Sequence, residues 1–326
     1  MTDFEQVARQ ALASWNISAD AEVTLIKQRE NAVFSVGSDS DRYALRVHRR
    51  GYHSDAALRS ELEWSSALND AAVRTPRAIP TVDGKLFAKL DSNDGGDSHQ
   101  VDLLEWFDGE PIGSAEEGLA DGAEAAEVFS LVGELMARTH NHAATWALPT
   151  GFERHVWDED GILGDQPLWG RYQDLAALDA AQRSRIGAAV TKAAADLADF
   201  GKTPDRYGLI HADLIPDNLL RSDDGICLID FDDGGFGWFM FDIATTLFIH
   251  LGKDYFDDAL NGLLGGYSNH RELADEHLAQ LPLFLFMRGL TYLGWVHTRR
   301  DTETAVAMTP AVVAGVDMII TSYLEG

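Results

Sequence analysis

The chain has 326 residues, 45% of them hydrophobic, which is enough for a full core in two domains or in one large domain with two lobes. Its 53 acidic residues against 26 basic ones give a formal net charge of −27, which opposes any partner recognised through its phosphate backbone and disfavours docking on an anionic membrane leaflet. The plain reading of that charge is a solvated, salt-tolerant surface, in keeping with 35 Asp against 18 Glu and only six Lys. The sharper alternative is a preference for cationic or amine substrates.

The single cysteine, Cys227, excludes an intramolecular disulfide framework and a multi-cysteine metal site. It lies in Ile226-Cys227-Leu228-Ile229, which reads as a buried strand, so it should act as a small hydrophobe. The start, Met1-Thr2-Asp3-Phe4-Glu5, lacks the basic and apolar regions of a signal peptide. Apolar stretches such as 281–287 are too short to span a bilayer, and the expected location is the cytoplasm.

In chain order, residues 23–28, 32–36 and 42–48 read as strands. The separators are Arg29-Glu30-Asn31 and the turn Gly37-Ser38-Asp39-Ser40-Asp41, which predicts a hairpin. Residues 54–69 have Leu58, Leu62, Ala67 and Leu68 at helical spacing. A Pro76 link leads to a strand over 85–90, a polar loop over 91–97, and a strand over 101–107 stopped by Asp108-Gly109-Glu110-Pro111. Helices are predicted over 124–142 and 176–200. Short strands over 219–221 and 226–231 flank a turn at Asp223-Asp224-Gly225, and helices follow over 241–250, 255–264, 276–298 and 305–323. Strands first and helices after make an α+β plan.

The strongest chemical signal is His211-Ala212-Asp213-Leu214-Ile215-Pro216-Asp217-Asn218, followed twelve residues after Asn218 by Asp230-Phe231-Asp232. Phosphoryl transfer needs an oxygen base near the acceptor hydroxyl and hard oxygen ligands for Mg²⁺. Asp213 would take or orient the hydroxyl proton, and Asn218 and Asp230 would hold Mg²⁺ against the nucleotide phosphates. The pattern H-x-D-L-x-x-x-N is the kinase catalytic loop, with Ala212 where protein kinases carry Arg. A polar turn with incidental acids would not reproduce both segments at this spacing. Zn²⁺ is not expected, because His211, His140 and His142 form no closed ligand set.

Here the chain resembles the aminoglycoside phosphotransferase-like superfamily, which includes choline and ethanolamine kinases, type II homoserine kinases, hydroxylysine kinases, fructosamine kinases and bacterial stress-response protein kinases. The resemblance lies in residues 210–220, in Leu228-Ile229-Asp230-Phe231-Asp232-Asp233, and in Phe241-Asp242-Ile243-Ala244. It implies a protein-kinase-like two-lobe fold, with a β-rich nucleotide-binding lobe over 1–105 and a mainly helical catalytic and substrate lobe over 106–326. It also implies ATP and Mg²⁺ as cofactors. Asp242 matches the acid that braces the catalytic loop, and His211 matches the loop histidine that packs beneath the metal-binding segment. Ala212 replaces the family's usual glycine.

The first lobe matches the same family through Tyr43-Ala44-Leu45-Arg46-Val47, with Arg46 where protein kinases place the phosphate-contacting Lys. Fifteen residues on, Glu61 (chosen over Glu63) stands where the family's helix supplies a partner for that base. An exposed strand arginine would give the same pattern. Leu104, Glu105 and Trp106 look like the lobe connector that meets the adenine edge. No G-x-G-x-x-G loop is present, so the turn holding Asn31 would cover the phosphates. His140 reads as a packing residue.

For the acceptor, the candidates are Asp232, Asp233, Trp238, Phe239, Arg288, Tyr292 and Trp295. Arg288, Tyr292 and Trp295 share one helical face. Core packing is the better reading of the aromatics, whereas Arg288 in apolar company needs a partner, either an internal carboxylate or a carboxylate or phosphate on the substrate. Aromatics with spare acids suit an amine-bearing alcohol, and a carboxylate clamp by Arg288 would favour a hydroxy amino acid. The expected function is ATP-dependent phosphorylation of a small hydroxyl acceptor, with neither nucleic acid nor membrane as partner. ATP versus GTP and the oligomeric state stay open. The alternatives are a protein Ser/Thr kinase of the stress-response type, opposed by the short interval from Asp230 to Asp242, and a nucleotide-binding pseudokinase, opposed by the intact Asp213, Asn218 and Asp230.

Overall fold

The computed structural model describes the chain apart from residues 1, 2, 30, 39, 40, 92–95, 97 and 326. The expected turns at Glu30 and at Asp39-Ser40, and most of the 91–97 loop, lie outside the described residues. Two compact units are formed. The first comprises Met1–Gly109, Ala147–Arg154 and Cys227–Asp232, and the second comprises Glu110–Trp146, His155–Ile226 and Asp233–Gly326.

The first unit is built on an antiparallel sheet of β1 (Val23–Gln28), β2 (Ala32–Ser38), β3 (Asp41–Val47), β4 (Ala88–Leu90) and β5 (His99–Glu105), in the order β1-β2-β3-β5-β4. Gly37 permits the β2–β3 turn, because its φ is +114° and a Cβ there would sit 2.0 Å from Asp41 O. The period of two sorts the side chains. Leu45, Val47, Val101 and Leu103 join Val7, Ala8 and Leu12 in one core cluster, the last three from α1 (Asp3–Ala11) and the turn after it. Leu104, of opposite parity, packs in a second cluster with Leu58 and Leu62 of α2 (Asp55–Asp70). Ser54 caps α2 by accepting from the Ala57 N–H, which fixes the helix start. Arg46 and Asp102 therefore face each other across the β3–β5 ladder on the side that carries α2.

The second unit is mainly helical. Its strands are β6 (Glu110–Pro111), β7 (Gly113–Ser114), β8 (Gly118–Leu119), β9 (His155–Trp157), β10 (Tyr207–Ile210), β11 (Leu219–Ser222), β12 (Gly225–Leu228) and β13 (Gly235–Trp238). The chain leaves this unit within β12 and returns at Asp233. Its helices are α3 (Ala125–Thr145), α4 (Glu159–Leu163), α5 (Ala180–Phe200), α6 (Phe239–Phe248), α7 (Phe256–Ser268), α8 (Asp275–Leu278), α9 (Leu281–Thr298) and α10 (Glu303–Glu325). α3 and α7 approach so closely that a Cβ on Gly266 would lie 1.9 Å from Ser130 O. α9 is enclosed on all sides from Leu283 to Gly294, which makes it the axle of the unit.

Several boundaries differ from the sequence expectation. The 85–90 strand shortens to β4. The 226–231 strand ends at Leu228, since Asp230 adopts φ +63° and cannot continue a ladder. The 276–298 helix divides into α8 and α9, with Pro282 starting the second, where its missing N–H costs nothing. Helix α1 and the β10-β13-β9 sheet were not anticipated. Helix α10 corrects the reading that the apolar stretches are all short: it has 23 residues, and an 18-residue stretch within it has a mean hydropathy of 1.6, long and apolar enough to cross a membrane by those criteria alone. It packs on α9 and α5 through Val312, Val316, Ile319, Ile320 and Tyr323, and Asp317 pairs with Arg185 at 3.0 Å.

Cys227 is 1% exposed, and burial pushes its thiol up to about 12. The native chain should resist iodoacetamide at neutral pH, where almost no thiolate forms, and react stoichiometrically once unfolded; equal labelling rates by mass spectrometry would contradict this packing.

Candidate active site

The catalytic-loop residues lie in the second unit. β10 ends at Ile210, and Asp242, one turn into α6, accepts from the His211 N–H (2.9 Å) and the Ala212 N–H (2.7 Å). His140 on α3 stands 3.1 Å from the same carboxylate and stacks on Phe239 at 4.4 Å. Burial holds the His140 pKa below its usual value. Ala212 adopts φ +64°, where an alanine costs about 1–2 kcal/mol. The two bonds to Asp242 and one from Arg288 Nη1 to Ala212 O (3.1 Å) offset that strain.

The Asp213 carboxylate is gripped from two sides. Arg288 Nη2 donates to Oδ1 at 2.8 Å, and Asn218 Nδ2 donates to Oδ2 at 3.1 Å and to the Asp213 carbonyl at 2.9 Å. The Asp213 side chain keeps 18% of its surface exposed, so an acceptor can reach it. Because Asn218 spends its amide hydrogens on Asp213, its carbonyl oxygen is left as a hard donor, which suits a divalent cation. His211 is fully buried, and its Nδ1 lies 3.4 Å from the Asp213 N–H.

Arg288 is fully buried on α9 between two aromatic faces, with its guanidinium carbon 4.5 Å from the rings of Trp169 and Tyr292. The Tyr292 hydroxyl lies 3.2 Å from Nη2. Burial alone would lower the arginine's pKa, but Tyr292 and Asp213 hold it above the usual value. Of the two partners the sequence left open, the structure supplies the internal carboxylate, and it is Asp213 itself. Trp169 Nε1 donates to Asp233 Oδ1 at 3.0 Å, and Trp157 Nε1 donates to the Asp233 carbonyl at 2.8 Å. Asp233 therefore shares the Trp169 bracket with the Arg288–Asp213 pair. Trp295 is half-buried under Arg299, 4.7 Å from its ring. Trp238 and Phe239 are core side chains; the Trp238 indole donates to Gly201 O at 2.8 Å.

The first unit holds a second charged cluster. Arg46 donates to Asp102 through Nε (2.9 Å) and Nη2 (2.8 Å), and its Nη1 lies 2.9 Å from Glu61 Oε1. Burial would lower the Arg46 pKa, but Asp102 and then Glu61 hold it well above its usual value, with Asp230 adding to the effect. Burial would likewise raise Asp102, yet Arg46 and His48, the latter 2.6 Å away, bring it down to about 2. Asp232 is buried against His53 (2.9 Å) and Arg49 (3.4 Å), which hold its carboxyl below the usual range despite desolvation. Asn31 accepts from the Arg49 N–H at 3.0 Å. Glu105 gives its N–H to Arg77 O, ending β5; Leu104 bridges Ala78, and the Trp106 indole donates to Asp108.

His53, Glu61 and Asp232 bring potential ligand atoms within 4.8 Å of one another. Glu61 is already paired with Arg46 and Arg154, and Asp232 with Arg49. Three guanidinium groups around the cluster repel a metal ion, so it reads as an internal ion network. Asp102, Arg154, His48, His53 and Trp169 had no place in the sequence reading.

The sequence pattern of the phosphotransferase enzyme family (APH) matches residues 22–277. The chain belongs to that family. Amicoumacin kinase of Bacillus subtilis (strain 168) is 25% identical to it over 321 residues, 95% of this chain and 90% of the relative. A homoserine kinase of Mesorhizobium japonicum is 31% identical over 263 residues, 78% of this chain and 73% of the relative. The solved structure of a microcompartment-associated aminopropanol kinase shares 33% identity and a TM-score of 0.87, covering 98% of both chains. The α+β protein-kinase-like fold expected from the motifs is therefore right. The protein is an ATP-dependent phosphotransferase with an alcohol group as acceptor.

Replacing Asp102 by Asn would leave the buried Arg46 short of charge, and a loss of about 3–5 kcal/mol is expected, read from urea unfolding at neutral pH. The folded-state pKa of Asp102 is depressed, so its stabilisation is complete above about pH 4 and disappears as pH falls through about 2. The gap between wild type and Asp102→Asn should close across that window; a gap that persists down to its lower edge would refute the pairing.

Proposed function

We propose that this enzyme moves the γ-phosphate of ATP to the hydroxyl of a small amino alcohol or hydroxy amino acid, with Asp213 as the base. The observation that carries the reading is the double grip on Asp213. A carboxylate fixed by Arg288 at one oxygen and Asn218 at the other stays ionised and oriented, yet is exposed enough to meet a substrate hydroxyl. The acceptor O–H would pass its proton to Asp213 as the oxygen bonds to phosphorus, and ADP would leave. Asn218 and Asp230 would supply the oxygen ligands for Mg²⁺, which neutralises phosphate charge when bound. Arg46, positioned by Glu61, would contact the phosphates, and the backbone of Leu104, Glu105 and Trp106 would meet the adenine.

An amine on the acceptor is favoured by charge. Asp213, Arg288 and Asp233 sum to one net negative charge along the Trp169 bracket. The faces of Trp169 and Tyr292 are occupied by Arg288, so a substrate ammonium would be met by the Asp233 carboxylate and not by those rings. The similarity to the aminopropanol and homoserine kinases supports the same class. Asp232, fixed by His53 and Arg49, is a holder of its own segment on this reading.

Asp213→Asn should cost at least ~10²-fold in kcat, and a near-normal rate would sink the assignment. 1-Amino-2-propanol, ethanolamine, homoserine, hydroxylysine, choline and an aminoglycoside should be assayed for ATP-dependent product, and failure of all six would overturn the substrate class. Asp233→Asn should raise the KM of the amine acceptor about tenfold, the usual scale of one charge-assisted hydrogen bond. The KM for ATP should not change.

A further inference from the structure

The segment that carries Asp230 needs an external holder. Asp230 itself sits at φ +63°, outside the ladder that ends at Leu228. A non-glycine residue in that region persists only where its surroundings over-determine it. In the first unit the fasteners are specific. Arg154 Nη2 donates to Phe231 O and to Asp232 O, both at 2.7 Å. Its Nη1 donates to Ala57 O at 3.1 Å and lies 3.4 Å from Glu61 Oε2. One buried guanidinium thus joins the two residues after Asp230 to the helix whose Glu61 holds Arg46.

The chain delivers Arg154 by its own contacts. The Glu153 N–H donates to Ser60 Oγ at 2.9 Å, and the Glu153 carboxylate accepts from Ser54 Oγ at 3.0 Å. Residues 153 and 154 are thereby laid along α2. Phe231 packs edge-to-face on Trp64 of the same helix, with ring centroids 5.2 Å apart. Arg46 already feels the Asp230 charge. The cation and the carboxylate that the nucleotide and its metal would meet are therefore set by one framework, and Arg154 is its keystone.

From this geometry we propose that Arg154 is a positioning residue for phosphotransfer: it places Asp230 for the divalent cation and couples it to the Arg46–Glu61 pair. This rests on the reading of Asp230 as a metal ligand. The planar fork matters, because three carbonyls and a carboxylate lie around one side chain. A lysine ammonium has the charge but cannot span them.

The test is Mn²⁺ binding, by electron paramagnetic resonance, to full-length protein saturated with AMP-PNP, which needs no acceptor. Arg154→Lys should weaken Mn²⁺ at least about tenfold in a variant that stays folded by circular dichroism. Ser60→Ala, which removes the bond to the Glu153 N–H together with the hydroxyl's own bond to Ala56 O within α2, should shift Mn²⁺ binding in the same direction by a smaller factor. This variant decides the matter if Arg154→Lys does not fold. Mn²⁺ affinity within twofold of wild type in a folded Arg154→Lys, or in Ser60→Ala when that is the deciding variant, would overturn the proposal. Asp230→Asn is the control: if it too leaves Mn²⁺ binding intact, the metal-ligand reading has failed, not the role of Arg154.

Discussion

The constraint on which the site depends is that a guanidinium cannot shed its proton when it is buried. Histidine or lysine in the same places could turn neutral and relieve the desolvation cost, but Arg46, Arg154 and Arg288 must be compensated by carboxylates and carbonyls at short range. Arg46 takes Asp102 and Glu61, Arg154 takes three carbonyls and Glu61, and Arg288 takes Asp213, Ala212 O and the Tyr292 hydroxyl. Each acid so recruited is held in one orientation. The cost of burying the cations is what preorganises the carboxylates, and preorganised charge is what phosphoryl transfer requires.

Two of the four described non-glycine residues with positive φ stand at the same places, the other two being Asn16 and Ala72 at helix ends. Ala212 and Asp230 both occupy the left-handed region, one just before the proposed base and the other at the expected metal ligand. In each case the neighbouring peptide groups are held by a buried side chain: Asp242 takes two N–H groups around Ala212, and Arg154 takes the two carbonyls after Asp230. The two devices are electrostatic mirror images, an anion gathering donors and a cation gathering acceptors. Both belong to the segments proposed to carry the chemistry, where strain held by specific contacts is expected.

What was legible in the sequence follows from this. The catalytic loop and Asp230-Phe231-Asp232 could be read because their chemistry restricts residue type at fixed local spacing. Helix α2 could be read from its apolar period, and the β2–β3 hairpin from its turn residues. The β10-β13-β9 sheet could not. Its strands are three or four residues long, two of the four residues in β13 are glycine, and their apolar character merges into the runs of α6. Nor could Arg154, whose partners are mostly backbone carbonyls, because carbonyls carry no sequence. Asp102 passed as one more residue of a predicted strand, and its meaning came only from the register that sets it opposite Arg46. Trp169 stands in a segment without periodic signal, so the bracket around Arg288 was equally hidden.

That bracket also changes how the acidity of the chain bears on its substrate. Aromatic rings near acids invite the expectation of a cation–π cage for an amine. Here the cage already holds a cation of the protein's own, and the rings' negative faces stabilise Arg288. For the acceptor ammonium proposed above, the attraction would be that of a carboxylate oriented by an indole N–H, a directed contact in Asp233. Such a contact discriminates by position and charge and not by the bulk of an alkylated nitrogen. On the proposed reading, a primary amine, which can donate hydrogen bonds to that carboxylate, would be favoured over a quaternary ammonium, which has no N–H to give.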